Sequence, residues 1–145
     1  MSTSSRQIPI VRTKFYLPQQ GAGHIDRPHL LAKLGNALDF PLTLVSAPAG
    51  YGKSVVVGDW ARTMTAPVAW LGLDDTDVGL FHFLSYLVAA IEEALPGVLT
   101  LVPELLVSPE SHSIEQLVHT LINELDDYGE PLLVVLDDYH VISHD

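Results

Sequence analysis

The sequence predicts an α/β fold, a three-layer sandwich whose mostly parallel sheet is covered by helices on both faces. Three apolar runs, Leu42–Val45, Val68–Leu73 and Leu132–Leu136, lack polar alternation, as strands buried on both faces do. Stretches with helical spacing lie between them, giving the order strand, helix, strand, helices, strand, which right-handed crossovers turn into layers. The first strand also runs into a turn of small residues, Ala47 to Gly52, and then straight into a helix-compatible segment.

Taken in order, the chain opens with Met1 to Gln7, Ser/Thr-rich and polar, without an apolar signal-peptide core and expected to be disordered. Ile8 to Leu17 alternates loosely and is expected to lie extended along the domain. Residues 1–24 are therefore read as a disordered or extended arm, and 25–145 as the folded domain. Asp26 is placed to cap a helix with Pro28 in its first turn, its apolar face being Leu30, Leu31, Leu34 and Leu38. Pro41 breaks the chain ahead of the first strand.

Leu42 to Ser54 reads Leu-Thr-Leu-Val-Ser-Ala-Pro-Ala-Gly-Tyr-Gly-Lys-Ser. A strand, a glycine loop and a helix in this order form the context of a phosphate-binding P-loop. Backbone N–H groups of the loop and the open helix N-terminus make a concave anion site. Gly50 and Gly52 allow close backbone approach. Lys53 would place its charge on the β- and γ-phosphates of ATP or ADP, and the Ser54 hydroxyl would complete a Mg2+ shell. Ala47 stands where the general pattern has its first glycine. The binding residues expected are Ala47, Pro48, Ala49, Gly50, Tyr51, Gly52, Lys53, Ser54 and Val55. Tyr51 could stack on nucleotide or shield the loop, and the sequence does not separate these.

Beyond the loop helix, Val55 to Thr63, the second strand ends in an acidic turn with Asp74, Asp75 and Asp77, better explained as a polar cap than as a metal site. Phe81, Leu84, Leu87, Val88, Ile91 and Leu95 recur at helical spacing, and Pro96-Gly97 stops that helix. Val98 to Pro109 has no clear element, because Pro103 and Pro109 disfavour a long one. Ser113 with Gln116 forms a capping box ahead of the apolar stripe Ile114, Leu117, Val118, Leu121, Ile122 and Leu125. The third strand, Leu132–Leu136, ends in Asp137-Asp138, the form of a Walker B segment. Asp137 would hold Mg2+, and Asp138 would orient an attacking water beside Lys53. Ligands in parallel sheets sit at the carboxyl ends of strands, so both motifs point to one rim. His140 and His144, spaced i, i+4, and the scattered His24, His29, His82, His112 and His119 suggest no metal site, and Trp60 and Trp70 are simplest as core.

The chain has 145 residues, 48% hydrophobic, with a net charge of −11, seven Lys plus Arg and no cysteine. Acidic surface argues against direct grip on nucleic acid. The lack of thiols fits a reducing compartment, and the expected location is cytoplasmic. The most apolar long window, Tyr86–Val107, is interrupted by Glu92, Glu93, Pro96, Pro103 and Glu104 and does not read as a membrane span.

These motifs make the chain resemble the N-terminal end of the large MalT-like, LuxR-type transcriptional regulators, whose ATPase belongs to the STAND class. The resemblance is carried by Thr13–Pro18, Arg27–Leu31, Leu42–Ser54, Trp60, Val68–Asp74, Phe83–Ala90 and Leu133–His140. The string Ala-Pro-Ala-Gly-Tyr-Gly-Lys is quite specific to that family, which usually has the same Ala at position 47. The resemblance implies a P-loop NTPase sandwich of STAND/AAA type and a nucleotide switch with slow hydrolysis. It implies ADP at rest, self-association with inducer and ATP, and promoter DNA bound through a C-terminal helix-turn-helix. It also places Arg27 near the adenine. Ser54 stands where the family commonly has Thr, and Leu80 where an Arg often precedes Phe81. Family chains are several times longer, which implies that further ATPase strands, sensor and DNA-binding domains follow Asp145. The chain is then a C-terminally truncated piece of the ATPase: a fragment, a truncated product or a decayed copy.

The resemblance also implies that a strand later than Leu132–Leu136 inserts between the Walker A and Walker B strands. Without it, those two either pair directly or flank an open slot, and the isolated chain is expected to be at most a weak ATPase. Two other functions compete. A small P-loop kinase would need arginines over the phosphates, and no Lys or Arg lies beyond Arg62. A non-catalytic interaction module would have no nucleotide affinity.

Overall fold

A computed structural model describes residues 8–48 and 50–139. The described residues form two compact units, one from Leu17 to Ala66 and the other comprising the residues up to Tyr16 together with those from Pro67 onward. Met1–Gln7 and His140–Asp145, and with them the readings of a disordered start and of His140 and His144, lie outside the described residues.

The larger unit is built on a parallel pair, β1 (Val68–Gly72) and β2 (Leu133–Asp137), in the register Val68↔Leu133 through Gly72↔Asp137. Three helices lie between them in sequence: α3 (Leu80–Ala94), α4 (Leu101–Val107) and α5 (Ile114–Tyr128). Leu71, Ile91, Val102 and Leu117 are the innermost side chains, drawn from the strand and all three helices. The capping box forms as the sequence predicts, with Ser113 Oγ accepting from the Gln116 N–H and the Gln116 side chain accepting from the Ser113 N–H. Gly129, left-handed at φ 70°, ends α5.

α4 occupies the stretch left without an element by its prolines. Its N-terminus is capped from a distance: the buried Glu124 carboxylate accepts from the N–H groups of Thr100, Leu101 and Val102 at 2.7, 2.8 and 3.0 Å and from the Thr100 hydroxyl at 2.8 Å. Burial pushes the Glu124 carboxyl up, but these donors outweigh it and leave its pKa below the usual value.

The smaller unit holds α1 (Pro28–Leu34) and α2 (Lys53–Arg62). Arg27, not Asp26, occupies the N-cap of α1, without a side-chain cap bond. The Asp26 carboxylate instead faces His24 Nε2 at 3.1 Å. Leu38 falls in a 3-10 turn, Ala37–Asp39, beyond the helix. Leu42–Val45 is not a strand, with Leu42 and Leu44 83% and 84% exposed. A strand exists only with a ladder partner, and no described backbone hydrogen bond gives this run one. β2 pairs with β1. The described sheet has two strands, which does not by itself make the expected three-layer sandwich.

Candidate functional site

In the smaller unit the chain turns through two left-handed glycines, Gly50 at φ 84° and Gly52 at φ 74°, directly before α2. Gly52 is the N-cap of that helix, so the N–H groups of its first turn point back toward the loop. The conformation explains both glycines, since an L side chain at positive φ is strained. A Cβ on Gly52 would also come within 3.3 Å of the Arg27 guanidinium.

Lys53 folds back over the loop, its ammonium donating to the Ala47 carbonyl and lying 3.5 Å from that of Pro48. Arg27 donates to the Tyr51 carbonyl at 2.9 Å. The structure therefore brings Arg27, Ala47, Pro48, Tyr51, Gly52 and Lys53 together around one turn. Ser54 and Val55 follow in the first turn of α2, and Ala49 lies outside the described residues. The Tyr51 side chain is exposed. Trp60 is buried on α2, as Trp70 is on β1.

In the larger unit Asp137 is the last residue of β2, and its carbonyl accepts from the Leu73 N–H at 3.0 Å. Asp138 is left-handed at φ 56°, alone in this among the described non-glycine residues, and its N–H donates to Asp137 Oδ1 at 3.0 Å. Asp is among the few side chains that tolerate that region. The turn swings the second carboxylate out of the strand line onto the surface. Loop and strand end belong to different compact units.

The acidic turn after β1 is a polar cap. Lys14 reaches both Asp77 oxygens at 2.7 Å and Asp74 at 3.0 Å. Asp74 accepts from the Thr76 hydroxyl and N–H; these and Lys14 depress its pKa to about 2. Burial pulls the Lys14 ammonium down, but its bonds to Asp77 and Asp74 leave it raised overall. Among the described residues no group of three or more His, Asp or Glu side chains is arranged to hold a metal ion. Lys14 and Glu124 were missed by sequence reasoning, and no local signal marks either, because their partners lie 63 and 22 or more residues away.

The chain is similar to a protein described as the HTH-type transcriptional regulator MalT of Serratia proteamaculans (strain 568). The two are 36% identical over 136 residues, which is 94% of this chain. The chain spans 15% of that protein's length. No protein-family model matches the chain. None of the described helices is long and apolar enough to cross a membrane.

Proposed function

We propose that the chain is the ATP- or ADP-binding segment of a signal-responsive transcriptional regulator of the MalT-like, LuxR type. In this reading the bound nucleotide acts as a conformational switch and is hydrolysed slowly. The observation that carries it is the loop: two left-handed glycines lead into a helix N-terminus, with a lysine drawn over the turn. That arrangement turns helix N–H donors and two cations, Lys53 and Arg27, toward one loop, the chemistry that a phosphate group calls for. The similarity to a MalT protein over nearly the whole chain supports the regulatory setting.

In this reading Lys53 exchanges its loop carbonyls for phosphate oxygens, which are better acceptors because they are charged. Gly50 and Gly52 let the backbone approach, and Arg27 stands beside the loop to contact the nucleotide. Mg2+ is usually held by one or two protein groups plus phosphate oxygens and waters. Ser54 and Asp137 are of the right chemistry for that part, and Asp138 for orienting a water. The three-layer P-loop sandwich belongs to the same proposal. So do the inducer, the promoter DNA and self-association of the complete regulator.

The test is equilibrium titration of ADP and Mg-ATP into the parent protein and Lys53→Ala. The variant is expected to bind at least about 10-fold more weakly, roughly 1.4 kcal/mol. Equal affinities in a folded variant would remove the proposal. Asp137→Asn is expected to abolish the Mg2+ dependence of binding, whereas Asp138→Asn spares binding and removes any hydrolysis. Indistinguishable variants would overturn that division of roles.

A further inference from the structure

The residues just before the P-loop unit carry an arrangement that nucleotide binding does not use. Ile8–Tyr16 crosses the larger unit without joining its sheet, since β1 pairs with β2 alone among the described residues. Its hold is made by side chains. Phe15 is buried in the core. The Tyr86 hydroxyl accepts from the Val11 N–H at 3.1 Å and donates to the Pro9 carbonyl at 3.2 Å. Lys14 grips Asp77, whose side chain is 0% exposed, and its ammonium lies 4.7 Å from the Tyr86 ring centroid. His82 completes the group, 3.1 Å from Asp77 and tilted against the Tyr86 ring at 4.9 Å between centroids.

The rest of this segment is loosely held. Ile10, Val11 and Tyr16 are exposed, and the Arg12–Glu93 ion pair is a surface contact. A segment outside the ladder that gives the core a single buried side chain, Phe15, belongs to the low-stability end of a fold, able to open while the sheet stays paired. It also forms one wall of an apolar groove of about 780 Å³, whose other walls come from α3 and α4, with Phe81, Val88 and Leu106 among the lining residues.

We propose that Ile8–Tyr16 is a releasable strap, latched by Lys14 on Asp77 and by the Tyr86 hydroxyl, whose departure withdraws Phe15 and this wall of the groove and uncovers the apolar α3 and α4 side chains without unfolding the sheet. The inference does not depend on nucleotide binding.

Hydrogen exchange followed by mass spectrometry tests it on the parent protein, Lys14→Met and Tyr86→Phe. Tyr86→Phe keeps the ring and removes only the bridging hydroxyl. In both variants, exchange in the 8–16 peptide is expected to accelerate about 10-fold or more while peptides of β1 and α3 stay within about 3-fold of the parent. Nile red, a neutral apolar dye, is expected to fluoresce more with both variants as the apolar side chains of α3 and α4 are uncovered. Should Lys14→Met unfold the whole unit by stranding the Asp77 carboxylate, Tyr86→Phe alone decides. Joint loss of protection in strap and β1 in that variant, no change at all, or strap release without a dye response would each overturn the proposal.

Discussion

The two compact units use apolar residues in opposite ways. In the larger one, Leu71, Ile91 and Leu117 vanish from the surface, and the polar groups that enter with them, Asp77 and Glu124, arrive with their donors. In the smaller one, Phe40, Leu42, Leu44 and Ile25 are exposed, and burial is confined to α2, at Val56, Gly58, Trp60 and Ala61. What is well defined in that unit is a turn of backbone, fixed by two left-handed glycines and by carbonyls that accept from Lys53 and Arg27. One unit is organised by packing and the other by local backbone chemistry, so substitutions should separate them.

Leu71→Ala should have the largest effect, about 2–5 kcal/mol of lost stability in urea denaturation, since the surrounding core cannot fill the space. A loss below about 1 kcal/mol would break the claim that β1 is the packed centre of its unit. Glu124→Ala comes next. It leaves three backbone N–H groups at the start of α4 without their acceptor, at a cost of about 2–3 kcal/mol, and should first release protection in Leu101–Val107 on hydrogen exchange.

Acid should act on the same unit. Asp74 is depressed to about 2 from 3.8, and Glu124 is held below its ordinary 4.5. A carboxylate depressed on folding contributes stability that is fully present above its unfolded value and is lost as pH falls through its folded one. Denaturation midpoints should therefore decline from near pH 4 downward, and Asp74→Asn should flatten part of the decline between about pH 4 and pH 2. An unchanged profile in that variant would sink the assignment. The smallest effect is expected in the other unit: Leu44→Ser should stay within about 0.5 kcal/mol. A loss comparable to Leu71→Ala would show Leu44 to be buried and erase the contrast.

The same contrast governs what the sequence could reveal. α3 and α5 were readable because their apolar residues recur at helical spacing, and the start of α5 because Ser113 and Gln116 are three residues apart. The loop glycines were readable because a left-handed turn before Lys53 requires them. α4 was hidden because its cap comes from Glu124 on another helix. The Lys14 contact with Asp77 was hidden for the same reason. Leu42–Val45 was misread because apolarity marks a strand only when a neighbour supplies the ladder, and that depends on residues far along the chain.

Hydrogen exchange with and without saturating Mg-ADP asks whether the turn from Gly50 to Ser54 binds nucleotide phosphate, because the N–H groups at the start of α2 are the ones a phosphate would engage. Amides of Gly50 to Val56 are expected to slow by about 10-fold or more in the parent protein and not in Lys53→Ala. Unchanged exchange across those residues at saturating nucleotide would contradict it.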